Sequence, residues 1–177
     1  MRECILATDM ARHMADLNDL KALVEQNSDN PQQTLLSPAL DPSERERRRT
    51  KLLELTIHAS DISNLARPRE AQELQVYLLF EEFFNQGDIE SEAGLPVSFL
   101  CDRATINVAK SCSNFGKFGP IPLFKVIGHF CPSKAYIVAR MEQSAERWEQ
   151  YAENESEEHR QTYIKRDGQA ILNQTWV

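Results

Sequence analysis

The segment His58-Ala59-Ser60-Asp61-Ile62-Ser63-Asn64 follows an apolar stretch from Leu52 to Ile57. The spacing predicts one helix across both stretches, and on a helix His58 and Asp61, three residues apart, project from nearly the same side. The apolar stretch predicts that both side chains point inward. A carboxylate among apolar residues is costly unless a metal, a cation or hydrogen bonds satisfy it. Asp61 is therefore a candidate metal ligand.

The composition predicts a soluble globular domain. The chain has 177 residues, of which 41% are hydrophobic and 27% are charged, and its formal net charge is −7. This length fits one domain with a sizeable core. The negative charge argues against a nucleic-acid polymer or an anionic membrane as the main partner, but it is compatible with a small nucleotide.

The chain carries no membrane or export signal that we can identify. No apolar run is long enough to span a bilayer, and the first residues are too charged for a signal peptide. The four cysteines, Cys4, Cys101, Cys112 and Cys131, form neither a CxxC pair nor a zinc spacing. We therefore expect buried, reduced thiols and a cytoplasmic protein without a transmembrane segment.

Apolar residues recur at spacings of three and four near the N-terminus and predict a first helix through about Glu25. They are Leu6, Met10, Met14, Leu17, Leu20 and Val24. The pattern begins close to Met1 with no N-cap signal, so we expect that the chain starts inside an element. Prolines and polar residues predict a loop from Asn27 to Pro42.

The remaining pattern also indicates helices. Ser43 and Glu46 predict a capping box that starts a helix ending near Asn64. Another helix is expected to follow Pro68 and stop at Gly87, and a third is expected to be capped by Asp102. A short helix from Leu123 to Phe130 and a long one opening at Pro132 complete the prediction. Nothing alternates with period two for long enough to indicate a strand, so the predicted fold class is all-α, a multi-helix bundle.

Several of these segments resemble a known family, the class I cyclic nucleotide phosphodiesterases. The resemblance rests on ILATDMARHM from Ile5 to Met14, HASDISN from His58, EEFFNQGD from Glu81, GLPVS from Gly94 and CDR from Cys101, in family order and spacing. It extends from about Ile5 to Trp148. It implies a metal-hydrolase domain of the HD type that cleaves cyclic AMP or cyclic GMP to the 5′-monophosphate.

The resemblance also implies a metal site of which this chain holds one part. In the family, zinc and magnesium (or manganese) activate a hydroxide, and two histidines and two aspartates hold the zinc; Asp61 matches the last of these ligands. The others lie in an HNxxHxxD segment and an HD pair, neither of which this sequence contains. The catalytic histidine belongs to the same upstream region. Catalytic zinc needs about three protein ligands. We therefore expect no catalytic residue and no bound metal in this chain alone.

These absences predict the C-terminal half of a catalytic domain that lacks its N-terminal helices. Residues 1–165 are expected to form this partial domain, and residues 166–177 a frayed tail. Apolar faces that would pack on the absent helices are expected to be exposed, which favours a partner chain that covers them.

The resemblance implies a cyclic nucleotide pocket with altered residues. Phe115 matches the aromatic residue that stacks on the purine, Leu79 the aliphatic side of the clamp, and Asn64 a polar group in the pocket. Cys112 replaces the family's purine-binding glutamine, and a thiol cannot supply the paired donor and acceptor of an amide. Two further departures are Gln75, in place of a tryptophan, and Leu65, in place of a proline.

Alternatives remain for the function of the chain and for the roles of single residues. The chain is either a partial copy of an enzyme or a non-catalytic binding or regulatory module derived from the same fold; an unrelated helical interaction protein is a third reading. Asp61 is either a zinc ligand or a hydrogen-bonded carboxylate at a helix end. Phe115 belongs to the core or to the clamp. His58 is interpreted as a structural residue, and Glu82 as a buried structural partner.

Overall fold

The computed structural model describes residues 2–25 and 37–154, and in this part every regular element is helical. The α-helices are α1 (Arg2–Leu6), α2 (His13–Glu25), α3 (Pro42–Asp61), α4 (Arg69–Glu92), α5 (Val108–Phe118), α6 (Pro120–Phe130) and α7 (Ala135–Glu153). Short 3-10 turns lie at Met10–Arg12, Asn64–Ala66 and Pro132–Lys134. The all-α prediction is confirmed. Most of the predicted loop and the whole predicted tail lie outside the described residues.

The helices form two compact units, each built from two stretches of chain. Of the described residues, the first unit contains 2–25, 37–66 and 116–142, and the second contains 67–115 and 143–154. Helices α5 and α7 contribute residues to both. No helix of the described ranges is both long and apolar enough to cross a membrane.

The core of the first unit is a cluster of aliphatic side chains from α2, α3 and α6. Its buried members are Leu17, Leu20, Leu55, Ala59, Ile62, Leu123 and Val126. These residues recur at helical spacing within each helix, so each helix presents one apolar stripe to the others. The stripe on α3 also fixes which way the side chains of the HASDISN segment point.

The core of the second unit is richer in aromatic residues and contains Cys112. Its buried members are Val76, Phe80, Phe84, Val108, Ala109, Cys112 and Trp148, from α4, α5 and α7. The side-chain oxygen of the fully buried Gln72 accepts hydrogen bonds from Arg147 Nη2 at 2.7 Å and from the Trp148 indole Nε1 at 3.3 Å. These bonds satisfy polar atoms that would be costly to bury alone.

The predicted first helix is interrupted. Helix α1 ends at Leu6, and the Asp9 carboxylate accepts a hydrogen bond from the Ala11 backbone N–H at 2.9 Å. This cap starts a 3-10 turn, and α2 begins only at His13. Met10 and Met14, which the periodicity assigns to the core, are exposed. A local cap thus overrides a continuous apolar pattern.

The start of α3 also differs from the prediction. Asp41, rather than Ser43, is the N-cap, and its carboxylate accepts hydrogen bonds from the backbone N–H groups of Ser43 and Glu44. Pro42 occupies the first helical position, where its missing N–H costs nothing. Glu44, three residues after this cap, pairs with Arg47 and Arg48. Glu46, the predicted capping-box partner, lies 3.9 Å from Arg49.

Helix α4 continues through Gly87 to Glu92, so the predicted stop is wrong. Gly87 is a packing residue: a Cβ at this position would lie 2.1 Å from the carbonyl oxygen of Cys101. The helix is instead ended by Gly94, whose φ of +69° is the left-handed conformation that glycine adopts readily. The Leu95 N–H then bonds to the Glu90 carbonyl at 2.9 Å.

The later helices are shifted by a few residues. Asn107 rather than Asp102 caps α5, since its side-chain oxygen accepts the Lys110 N–H at 2.7 Å. Asp102 instead closes the preceding turn through the Ala104 N–H and the Thr105 hydroxyl. Helix α6 begins at Pro120, and a 3-10 turn at Pro132–Lys134 precedes α7.

Candidate functional site

The HASDISN segment forms the C-terminus of α3. The Ile62 backbone N–H donates to the His58 carbonyl at 3.2 Å, and the Ser63 hydroxyl donates to the Ser60 carbonyl at 2.7 Å. These bonds satisfy carbonyl groups that a helix end leaves without partners. The segment therefore ends the helix, and Asn64 follows in a half-buried 3-10 turn.

His58 and Asp61 do not share the buried side of α3. His58 is buried, but Asp61 is exposed, so the prediction that both point inward is wrong for Asp61. Residues three apart differ by about 60° around a helix axis, which is enough to place one in the core and the other on the surface. Asp61 is therefore an exposed residue and is not enclosed in an apolar pocket.

The described residues do not fit a zinc or magnesium centre. No group of three or more histidine, cysteine, aspartate or glutamate side chains in residues 2–25 and 37–154 is arranged to hold a metal ion. Asp61 offers one carboxylate, and a catalytic zinc site takes about three protein ligands. No metal-dependent step can be assigned to these residues alone.

Within the same motif, His58 is paired with another histidine. His13 Nδ1 and His58 Nε2 are 2.9 Å apart, and both rings are buried. His13 Nε2 and His58 Nδ1 are buried without a hydrogen-bond partner. Burial lowers the pKa of both imidazoles, and the neighbouring His58 lowers the pKa of His13 further. The pair is therefore neutral near pH 7, and a structural role for His58 is consistent with this geometry.

A buried carboxylate lies close to the histidine pair. Asp16 of α2 forms an ion pair with Lys51 of α3, and Arg12 Nη2 lies 3.9 Å from the same Asp16 oxygen. Asp16 favours the protonated form of both imidazoles, but burial outweighs it and their pKa values stay lowered. The ion pair joins α2 to α3 alongside the histidines.

In the second unit, Cys112 is a core residue. Only 8% of its surface is exposed, and it packs in the aromatic cluster. Burial raises the pKa of the Cys112 thiol to about 12, so the sulfur carries no charge at neutral pH. A buried thiol neither presents a hydrogen-bonding edge to a purine nor acts as a nucleophile.

Leu79 and Phe115 lie on α4 and α5, which pack together through the core cluster. Their side chains are 41% and 38% exposed, so neither belongs to the interior of the second unit. For Phe115 the core interpretation is not supported.

The candidate residues are divided between the two units. Asp61 and Asn64 lie three residues apart in the first unit, whereas Leu79, Cys112 and Phe115 belong to the second.

Other residues of the family motifs have structural roles. Arg103 Nη2 of the CDR segment binds Asp88 Oδ2 of the EEFFNQGD segment at 2.7 Å. Its guanidinium also lies 5.0 Å from the centre of the Phe84 ring, which adds a cation–π contact. Glu82 is exposed, so its predicted burial is wrong. Leu65 is buried, and Gln75 is half-buried.

Two buried polar groups have partners that no local sequence pattern predicts. The spacing of His13 with Leu17 and Leu20 follows the core stripe of α2 and indicates that His13 is buried. Its bond to His58, however, joins residues 45 apart, and no local pattern encodes such a pairing. The same is true of Gln72, which bonds to side chains 75 and 76 residues away.

Comparison with known proteins relates this architecture to one family. Residues 1–141 match the 3′5′-cyclic nucleotide phosphodiesterase family. A probable 3′,5′-cyclic phosphodiesterase of Caenorhabditis elegans is 36% identical over 126 residues, which cover 71% of this chain and 16% of that protein. The 3′,5′-cyclic-AMP phosphodiesterase 4C of Rattus norvegicus is 35% identical over 123 residues, 70% of this chain and 22% of that protein.

The fold agrees with a solved member. The crystal structure of the phosphodiesterase domain of Salpingoeca rosetta rhodopsin phosphodiesterase superposes with a TM-score of 0.70 at 24% identity, over 86% of this chain and 44% of that chain. The chain thus spans less than a quarter of the two curated relatives and less than half of the solved domain. By its sequence match and its helical architecture, the chain belongs to the class I cyclic nucleotide phosphodiesterase family.

Proposed function

We propose that this chain is the part of a cyclic nucleotide phosphodiesterase domain that supplies one metal ligand and most of the base-binding residues. The reaction is hydrolysis of a 3′,5′-cyclic nucleotide to its 5′-monophosphate. In the first unit, Asp61 is the metal ligand and Asn64 a polar substrate-binding residue. In the second unit, Leu79 and Phe115 are the base-binding residues. The exposed Asp61 carboxylate at the end of α3 carries this proposal, because it is free to meet groups from outside this chain.

Catalysis requires the remainder of such a domain. In the complete domain, zinc together with magnesium or manganese would activate the attacking water and neutralise charge on the phosphate. This chain would contribute one carboxylate oxygen to that centre, and its described residues contain no group of three or more ligands. We therefore expect the isolated chain to be inactive.

Purine binding would rest mainly on apolar contacts. Leu79 and Phe115 offer exposed aliphatic and aromatic surface against which a purine ring would pack. Cys112 lies in the core and offers the purine no amide. Loss of such a hydrogen bond costs about 1–3 kcal/mol, or roughly 5- to 150-fold in affinity. We expect the cyclic nucleotide to bind more weakly than in a domain that keeps the glutamine.

Burial of Cys112 also favours a second candidate function, a non-catalytic module of the same fold. A protein without the purine-reading amide could keep the helical scaffold for a regulatory or binding role. The two candidates differ in one respect: the enzyme gains activity when the remaining ligands are supplied, and the module does not.

A hydrolysis assay tests the proposal. The purified chain, with zinc and magnesium present, is expected to release no 5′-monophosphate from cyclic AMP or cyclic GMP. Joined to a segment that carries the HNxxHxxD and HD motifs, it is expected to become active, and Asp61→Ala should abolish that activity. Asp19→Ala, at an exposed carboxylate of α2, is the control and should leave it unchanged. Turnover by the isolated chain that Asp61→Ala removes would contradict the proposal.

We place the protein in the cytoplasm. Its four cysteines are free thiols, and free thiols persist in a reducing compartment.

A further inference from the structure

One stretch of α3 concentrates positive charge around a single hydroxyl group. Five of the seven residues from 45 to 51 are Arg or Lys, although the whole chain has only 20 such residues and a net charge of −7. Thr50 lies in this stretch directly after Arg47, Arg48 and Arg49. Of all serine and threonine residues in the sequence, Thr50 alone has arginine both two and three positions before it. The basic stretch therefore distinguishes this hydroxyl from the others.

The arginines of this stretch pair with acidic residues of their own helix. Arg47 Nε donates to Glu44 Oε2 at 2.8 Å, and Arg48 Nε donates to Glu44 Oε1 at 2.7 Å. Arg49 Nη1 lies 3.9 Å from Glu46 Oε2. The side chains of Arg47 and Arg49 are 72% and 69% exposed, and ion pairs at such exposed positions contribute little to stability. These arginines can therefore exchange their carboxylates for those of a binding partner at low cost.

The Thr50 hydroxyl is available for reaction. Thr50 is exposed, and its hydroxyl forms no hydrogen bond to the residues that the structure describes. By contrast, the Thr56 and Ser60 hydroxyls of the same helix donate to the carbonyls of Leu52 and Thr56, each at 2.7 Å. Hydroxyl groups bonded in this way are held by the backbone of their own helix. Thr50 instead keeps an oxygen that another protein can approach.

The part of α3 that carries Thr50 is only loosely held by the fold. No residue of α3 before Leu55 is buried, so this part adds nothing to the aliphatic core of the first unit. An ion pair between Lys51 and Asp16 joins it to α2. A helical segment with few buried contacts opens locally at a small cost in free energy. The backbone around Thr50 can therefore enter an enzyme's active site while Leu55 and Ala59 stay in the core.

We propose that Thr50 is a phosphorylation site for a protein kinase that recognises arginine residues before the acceptor hydroxyl. Carboxylates of the kinase would bind the guanidinium groups of Arg47 and Arg48 by charge-assisted hydrogen bonds. The Thr50 Oγ1–phosphorus bond forms as the bond from the γ-phosphorus of ATP to its bridging oxygen breaks. The hydroxyl proton passes to the catalytic aspartate of the kinase, and ADP leaves. The modification is independent of the proposed function, because no metal ligand or pocket residue takes part in it.

A phosphate on Thr50 would lie between two carboxylates. Thr50 shares a surface groove with Glu46 and Glu54, one turn before and one turn after it. The cations of the same groove, Arg47 and Lys51, already have acidic partners. Phosphothreonine carries a charge of roughly −2 at pH 7, and like charges four residues apart on a helix repel each other. We therefore expect phosphorylation to weaken this part of α3 and to lower the Tm of the chain by about 2–4 °C.

Phosphorylation of the full chain in vitro tests the site. The purified chain is incubated with ATP, Mg²⁺ and an arginine-directed kinase, the catalytic subunit of cyclic-AMP-dependent protein kinase. Tandem mass spectrometry should find one phosphate per chain, at Thr50, and Thr50→Ala should abolish it. Arg47→Ala should lower kcat/KM for phosphorylation by at least about tenfold, because a charge-assisted pair with the kinase is lost. Arg49→Ala is the matched control, equally exposed and also paired with a glutamate three residues earlier, and should leave kcat/KM nearly unchanged.

Several results would overturn the assignment. They are no phosphate on the chain, a phosphate at another residue in place of Thr50, equal losses in Arg47→Ala and Arg49→Ala, and phosphorylation seen only after the chain is denatured. Thermal unfolding of the phosphorylated chain, with kinase-treated Thr50→Ala as the control, checks the effect on α3. An unchanged or higher Tm would contradict the expected repulsion. Cyclic nucleotide hydrolysis enters none of these measurements, so failure of the proposed function would leave their outcome unaffected.

Discussion

Cys112 shows how burial changes the meaning of a single substitution. Its position in the motif suggests a weakened purine contact, but the side chain packs among Val76, Phe80 and Trp148. In this fragment the residue contributes to the stability of the second unit. A longer polar side chain here would have to enter an aromatic cluster, where an unsatisfied amide is costly.

Cys112 is expected to resist alkylation in the folded chain. Thiolate is the reactive form, and burial raises the pKa of this thiol to about 12 while excluding reagent. Exposed Cys131 provides an internal control. Mass spectrometry after brief treatment with iodoacetamide should find modification at Cys131 and almost none at Cys112 until denaturant is added. Equal labelling of the two under native conditions would show that Cys112 is accessible.

The histidine pair predicts loss of stability in acid. Burial holds the pKa of His13 and His58 below the ordinary 6.5, so the unfolded chain binds more protons than the folded chain below that pH. The free energy of unfolding should therefore be highest above about pH 6.5. It should decrease as the pH falls toward the folded-state pKa values of the two histidines. Each proton contributes at most about 1.4 kcal/mol per pH unit.

Urea denaturation from pH 8 to pH 5 measures this slope. His58→Gln should reduce it, because one of the two titrating groups is gone, and His129→Gln, at an exposed ring on α6, should not. Asp16 and Asp61 are the carboxylates that act on the pair, and Asp16 is itself ion-paired with Lys51 and lies near Arg12. A slope that His58→Gln leaves unchanged would assign the acid sensitivity to other groups.

At the scale of the elements, capping and close packing decide where helices begin and end. Asp9, Asp41 and Asn107 each hold the N–H groups of a first turn, and Gly94 ends α4. Gly87 has the opposite role, because it allows α4 to pass the Cys101 backbone without a break. Composition alone does not distinguish a glycine that ends a helix from one that lets the helix pack.

Two glycines inside helices provide a matched pair for testing this role. Gly87→Ala should destabilise the chain by about 1–3 kcal/mol, since the new Cβ would lie 2.1 Å from a backbone oxygen. Gly128→Ala on α6 meets nothing within 4 Å and should stabilise it by about 0.5–1 kcal/mol. Thermal unfolding measures both. Similar effects of the two substitutions would mean that the contact at Cys101 relaxes easily.

At the scale of the whole molecule, two buried cores coexist with apolar side chains that are exposed. Each unit buries its own cluster, aliphatic in the first and aromatic in the second. Exposed apolar side chains nevertheless remain on α1 and α3, and the chain covers less than half of a solved family domain.

Much of the fold was predictable because it depends on local patterns. Helical spacing of apolar residues identified α3, α4, α6 and α7 to within a few residues, and turn prolines separated them. The spacing also placed Leu17, Leu20 and Leu55 in the core. Helix ends were less accurate, since a cap such as Asp9 or Asn107 competes with nearby alternatives by amounts of about 1 kcal/mol.

The sequence by itself determined the helical class, the family and the identity of the candidate residues, because these depend on periodicity and on motifs in a fixed order. Only the tertiary structure decided that His58 is buried against His13 while Asp61 faces solvent, and that Cys112 lies in the core. Those outcomes depend on which side of a helix meets residues from distant parts of the chain. A rotation of about 60° about α3 separates the buried histidine from the exposed carboxylate.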